Sequence, residues 1–291
     1  MMHLLEALFF FLSAGIIGLI PFFLLYRLSG LVAILLHRVF GYRRKVVKEN
    51  LNRAFPDMNP DERKRVEKQF YRNLSDILLE GIRSFTMSRR SVIKRHHVED
   101  PKGVLSFLNQ NRSIIALPAH ITNWEWGSLS GSLQIPYTNV VFYKPLNNPY
   151  VDRFVRWSRG RVGTTLVSIS VTPQTFAKLA SDTVVYVMAA DQSPTRQNKI
   201  EWVDFLGQKT AFLYGPEKYA RKYNLPVFYV DIRRIRRGHY SLLFKLLSDN
   251  PRDLPQGEII RRYAAEIEKS VLREPGSWLW SHRRWKLNPQ D

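Results

Sequence analysis

From Ser113 to Ala189 the chain alternates short β-branched runs with helical patterns: "SIIAL", a helix from about Trp124, "NVVFY", a helix from about Pro149, "TTLVSI", a helix after Thr172, and "TVVYVMA". Strands that return only after a helix cannot pair as hairpins, so neighbours run parallel and the helices must cover the sheet. This predicts an α/β fold with a mixed, largely parallel sheet flanked by helices. The segment "LPVFYVDIRRIRRGHYSLLFKLL" reads instead as a two-stranded ribbon turning at Arg237-Gly238, and Gly257 to Arg273 reads as a closing helix. Ahead of the sheet, "YRRKVVKENLNRAFPDMNPDERKRVEKQFYRNLSDILLEGIRSF" is helical with one break near "FPDMNP". Asn59 as N-cap, Pro60 at the first helical position, and Asp61 and Glu62 in the first turn start the second of these helices. Phe70, Leu74, Ile77, Leu78 and Gly81 fall on one face of it, which predicts an amphipathic helix packed on a core.

The N-terminus adds a different constraint. Ala7 to Tyr26 is twenty residues without a charge, enough to cross a hydrocarbon core. His3 and Glu6 precede the run and Arg27 ends it, with no basic start, so it reads as an anchor and not as a cleaved signal. Arg27, Arg38, Arg43, Arg44, Lys45 and Lys48 crowd its C-terminal flank, and the positive-inside rule then puts the bulk of the chain in the cytoplasm. Pro21 and a second apolar run, Leu28 to Leu36, also allow a kinked segment lying in the interface. The expected organisation is an anchor and interfacial segment over 1–40 and one globular domain over 41–291.

The 44 Lys and Arg against 25 Asp and Glu give a formal charge of +19, which calls for an anionic partner: anionic lipid, acidic small molecules or nucleic acid. No recognition-helix, RNP or zinc-finger pattern supports nucleic acid. The chain has no cysteine, which excludes disulfides, thiol nucleophiles and Cys-ligated zinc.

Chemistry is most concentrated in "PAHITNWEWG", where His120 follows an apolar strand and Glu125 opens the next helix, five positions on. On one continuous helix that spacing would turn the two by about 500°, leaving them roughly 140° apart. A strand–turn–helix path lets them meet, at the strand end where open α/β sheets bind ligands. A histidine near neutral pKa can take a proton from a hydroxyl, and a carboxylate beside it fixes the tautomer. No enzyme nucleophile is needed if the substrate brings its own hydroxyl. The competing reading is a satisfied histidine in a turn. No second histidine or carboxylate stands nearby at ligand spacing, so no metal is expected.

"AHITNWEWG" resembles the His-x4-Asp/Glu signature of the lysophospholipid acyltransferase superfamily, and its "NWE" resembles the lipid A biosynthesis acyltransferases. Further blocks agree in order and approximate spacing: "RRKVVKENLNRAFP", "YKPLNNPYVDRFVRWSRGRVG", "DQSP" with "VDFLGQKTAFLYGPEKYARKYNLPVF", and "WLWSHRRWK". The resemblance covers nearly the whole chain. It implies a glycerolipid-acyltransferase-like fold at the inner membrane, carried by a single anchor with the catalytic domain on the cytoplasmic face. It implies transfer of an acyl chain to a lipid A precursor hydroxyl from acyl carrier protein or coenzyme A, both co-substrates, with no further cofactor and no acyl-enzyme. By the same resemblance His120 is the base and Glu125 its orienting partner. Asn123 positions groups around the site, Arg159 holds an acceptor phosphate or steadies the site, and Asp191 and Gln192 shape the pocket wall. Ala119 and Ile121-Thr122 depart from the family's Gly before the histidine and Phe-Gly after it, and "IEWVDFLG" carries charges where the pattern is more apolar. These departures leave the acceptor open to another phospholipid or glycolipid. A non-catalytic membrane-tethered protein binding anionic ligands is the alternative of a different class. The tryptophans of "SWLWSHRRWK" suit either a membrane interface or a core.

Overall fold

The computed structural model describes residues 2–195 and 200–287. Its helices are α1 (Met2–Leu19), α2 (Phe22–Ile34), α3 (Arg44–Ala54), α4 (Pro60–Arg83), α5 (Arg89–Arg95), α6 (Lys102–Leu108), α7 (Trp124–Gln134), α8 (Pro149–Gly160), α9 (Thr172–Lys178), α10 (Gly215–Tyr223) and α11 (Glu258–Arg273). Its strands are β1 (His96–Val98), β2 (Ile114–Pro118), β3 (Thr138–Tyr143), β4 (Thr164–Ser168), β5 (Val184–Val187), β6 (Ile200–Phe205), β7 (Gln208–Leu213), β8 (Val227–Arg236) and β9 (His239–Ser248).

Seven strands form one sheet in the order β1-β9-β8-β2-β5-β3-β4. The pairs β8–β2, β2–β5, β5–β3, β3–β4 and β1–β9 are parallel, and in this sheet only the β8–β9 ribbon is antiparallel, turning at Gly238 with φ +72. The largely parallel sheet and the ribbon are thus as the sequence predicts. The pleat sends alternate residues to opposite faces, which builds two cores. Ile115, Leu117, Tyr186 and Tyr229 pack against α11 and α10 on one face, while Ala116, Val185, Phe228 and Val230 pack against α5, α6 and α7 on the other.

Asn59 caps α4 through Oδ1, accepting from the Asp61 N–H at 2.9 Å, with Pro60 as the first residue. Leu78, expected on the packed face of α4, is 48% exposed and faces a cavity instead. The β6–β7 hairpin was not legible as such: Leu206 and Gly207 both take positive φ (+50 and +69), and of the charges in "IEWVDFLG" Asp204 faces solvent while Glu201, on the opposite face, lies 3.8 Å from Arg261. The short edge strand β1 was likewise too brief to show a period.

The uncharged N-terminal run is broken in two. Pro21 stands between α1 and α2, and α2 continues through a π-helical turn, Leu35–Val39. Both stretches are long and apolar enough to cross a membrane and bury few of their residues. Leu5, Phe9, Leu12 and Ile16 on α1, and Phe23, Leu31 and Val39 beyond it, are more than half exposed. An apolar surface of this extent is incompatible with water and makes this a membrane-associated chain.

Candidate active site

His120 sits two residues past the end of β2, where the chain turns from strand to helix. The turn is tight: Thr122 takes φ +53, an unusual conformation for a β-branched residue, and is held by its N–H donating to Ser277 O (3.0 Å) and its hydroxyl donating to Ile232 O (3.1 Å). A glycine at this position would adopt that φ without strain. Asn123 then caps α7, its Oδ1 accepting from the Trp126 N–H at 3.0 Å.

The imidazole of His120 is fixed from behind. Its Nδ1 lies 2.7 Å from Asp191 Oδ1, and its own backbone N–H donates to Asp191 Oδ2 at 2.9 Å. Trp278 Nε1 donates to the same Oδ2 at 3.0 Å. Asp191 is 2% exposed and can only accept, so Nδ1 carries the proton and Nε2 is the basic nitrogen. Gln192 Nε2 approaches that nitrogen at 3.2 Å, consistent with an amide N–H donated to its lone pair. Burial opposes ionising Asp191, but the His120 charge, its two hydrogen bonds and that of Trp278 prevail and hold the carboxyl down at about 2. Burial likewise opposes the His120 imidazolium, yet the charge and hydrogen bond of Asp191, joined by the charge of Glu125, raise its pKa above the ordinary histidine value.

Glu125 does not make the contact expected of it. Its Oε2 pairs with Arg159 of α8 at 2.5 Å and its Oε1 accepts from Trp124 Nε1 at 3.2 Å. The carboxylate hydrogen-bonded to His120 is that of Asp191, seventy-one residues away in sequence, and Glu125 influences the imidazole only through its charge. Asn123 lies out of the cavity wall and holds groups around the site from behind. It is fully buried, its Oδ1 spent on the cap and its Nδ2 donating to Glu80 Oε2 at 2.7 Å, so it fixes the start of α7. Asp191, expected in the pocket wall, lies behind it, whereas Gln192, His120, Glu125 and Arg159 face the cavity.

That cavity has a volume of about 950 Å³ and runs from these polar groups between the sheet and α7. Its walls are mainly apolar, lined by Ala116, Val185 and Ile135, by Ile77 and Ile82 of α4, and by Phe10 of α1. Such a space suits an extended aliphatic chain, with its reacting end at His120.

The sequence profile of the bacterial lipid A biosynthesis acyltransferases matches residues 2–287. The chain belongs to this family. It resembles the lipid A biosynthesis lauroyltransferase of Escherichia coli (strain K12), 25% identical over 289 residues that cover 96% of this chain and 92% of that protein. It is also similar to the lipid A biosynthesis palmitoleoyltransferase of the same organism, 24% identical over 85% of this chain and 80% of that one. A lipid A biosynthesis acyltransferase of Haemophilus influenzae is 23% identical over 88% and 81%. Membership makes the protein an O-acyltransferase. Within this family member, Trp278 is a site residue that sequence reasoning placed only in a core or at an interface. Trp278 and Trp280 are 3% and 0% exposed, which settles them in the core. The signal available was the block "WLWSHRRWK" itself, whose strand-like bridge from Trp278 to Ile121 carries the indole to Asp191. His282 of that block is half-buried beside the site, and it accepts the Ser193 N–H on Nε2 at 2.8 Å. Burial pushes its pKa down to about 4, so it is neutral and structural.

Proposed function

We propose that the protein transfers a fatty acyl chain from an acyl thioester, carried by acyl carrier protein or coenzyme A, to a hydroxyl of a lipid A precursor on the cytoplasmic face of the inner membrane. The observation that carries this reading is a histidine whose Nδ1 is locked by a buried carboxylate and whose Nε2 faces the head of a large apolar cavity.

His120 Nε2 accepts the proton of the acceptor hydroxyl as that oxygen attacks the thioester carbonyl. Asp191 holds the tautomer and stabilises the imidazolium without itself taking the proton. The tetrahedral adduct then collapses with loss of the thiolate, which takes the proton back from His120. Glu125 adds a second negative charge facing the imidazolium from the cavity side. Arg159 holds that carboxylate in place and offers a cation to an acceptor phosphate. With donor and acceptor held together, positioning replaces covalent catalysis and no acyl-enzyme is required.

The test is acyl transfer from labelled acyl carrier protein and from coenzyme A to a panel of lipid A precursors, with His120→Ala beside the native protein. Transfer that the substitution abolishes while the fold persists supports the reading and names donor and acceptor. Native protein that transfers to phospholipid and to no lipid A precursor would refute the acceptor assignment.

A further inference from the structure

A helix that crosses a bilayer leaves its domain behind at one end. Neither N-terminal helix does so. At the start of α1, the His3 carbonyl accepts from Asn148 Nδ2 at 2.7 Å and Glu6 Oε2 accepts from the same nitrogen at 3.1 Å. In the middle, Phe10 and Phe11 pack edge-on against Phe154 of α8, and Phe10 also meets Phe85. At the end, the Gly18 carbonyl accepts from the Thr86 hydroxyl at 2.6 Å. His3 and Gly18 are about 22 Å apart along the helix axis, so α1 is tied to the polar domain over nearly its whole length.

The second helix is tied in the same way. Tyr26 donates to Glu80 Oε1 at 2.8 Å, Ser29 donates to Asp76 Oδ1 at 2.5 Å, and His37 Nε2 lies 3.0 Å from Glu67 Oε1. The partners descend α4 as α2 ascends, which sets the two helices antiparallel along their length. The faces turned inward are narrow and small: Ala7, Ala14 and Gly18 on α1, Leu25, Ser29 and Ala33 on α2. Crossing a hydrocarbon core of about 30 Å would drag α4 and α8 into lipid with them, including Asp152, Arg153 and Arg156.

A second feature abuts the same surface. At the tip of the β8–β9 ribbon Ile235 is 64% exposed, beside the exposed Arg236 and Arg237, the second of which also pairs with Asp76 at 2.6 Å. Arg237 lies over the Tyr26 ring at 4.7 Å, and Arg95 lies over the Phe22 ring at 3.5 Å while donating to the Gly238 carbonyl at 3.2 Å. A basic fringe thus borders the apolar row, the arrangement that matches acyl chains beneath anionic headgroups.

We propose that the protein is monotopic: α1 and α2 lie as one broken belt in a single leaflet, and the Ile235 ribbon tip enters the headgroups beside them. The N-terminus and the catalytic domain are then on the same side of the membrane. Phe10 of the belt also lines the acyl cavity, so the cavity wall and the membrane-embedded helix share a side chain.

The absence of native cysteine makes the test direct. Met2→Cys and Lys64→Cys, both at exposed positions, are probed with a membrane-impermeant maleimide in right-side-out and inverted vesicles. The expected result is labelling of both from the same face; Met2→Cys labelled only from the opposite face would overturn the proposal. Bimane-labelled cysteines at Met2, Leu12, Phe23 and Leu31, quenched by nitroxide lipids, give an independent depth profile. Comparable shallow depths support the belt, and a midplane maximum at Leu12 between shallow Met2 and Phe23 overturns it. For the ribbon tip, Arg236→Ala is expected to weaken partition to phosphatidylglycerol-containing vesicles about fivefold, with little change on neutral phosphatidylcholine vesicles. Unchanged partition to both would remove the tip from the membrane surface.

Discussion

Replacing Asp191 by Asn separates the two carboxylates that could serve His120. Asp191 Oδ2 receives two N–H groups, from the His120 backbone and Trp278 Nε1, while Oδ1 receives Nδ1–H. An asparagine has one acceptor oxygen, and two donors fix it at the Oδ2 position. Its amide NH2 then faces Nδ1, which must become an acceptor, and the imidazole proton moves to Nε2. The base is lost without a change in shape. General-base catalysis is worth roughly 10²–10⁴-fold, so kcat should fall by that factor, equivalent to about 3–5 kcal/mol of barrier. The assay is steady-state acyl transfer with saturating donor, paired with thermal unfolding to show that the variant remains folded. Activity within about tenfold of native in a folded Asp191→Asn protein would refute the reasoning. Abolition by Glu125→Gln in the same series would then hand the orienting role to Glu125.

Other outcomes follow from the same geometry. Glu125→Gln removes a negative charge that raises the His120 pKa, and the base is active only when neutral, so the acid limb of kcat/KM should move to lower pH. Burial raises the Glu80 carboxyl to about 7, above its unfolded value, so the contribution of this one group to stability is most favourable below about pH 4.5 and declines as pH rises toward 7, by about 3 kcal/mol. Glu80→Gln should flatten that slope in unfolding curves taken from pH 5 to 8. Thr122→Val keeps the positive φ but loses the bond to Ile232 O and should cost about 1 kcal/mol or more in denaturant unfolding, whereas Thr122→Gly should stay within about 1 kcal/mol of native. Ala116→Phe or Val185→Phe fills the cavity between the sheet and α7, at about 1–3 kcal/mol of overpacking, and product analysis should show a shift to shorter acyl chains.

What the sequence determined by itself was whatever short-range physics controls. The strand–helix alternation after Ser113 forces parallel pairing, the Asn59-Pro60 start writes the first turn of α4, and Gly238 closes the ribbon. His120 and Glu125 were legible because the strand-to-helix turn that presents them is local. Tertiary structure decided which groups meet. Asp191 and Trp278 reach His120 from distant segments, because β5 pairs with β2 and the C-terminal segment bridges to Ile121. No period or spacing in a linear chain reports such a meeting. The same holds at the N-terminus. Hydropathy gives twenty uncharged residues and an anchor, but Tyr26, Ser29 and Gly18 find their partners only once α4 and the segment after it are folded, and those hydrogen bonds decide how the apolar helices lie.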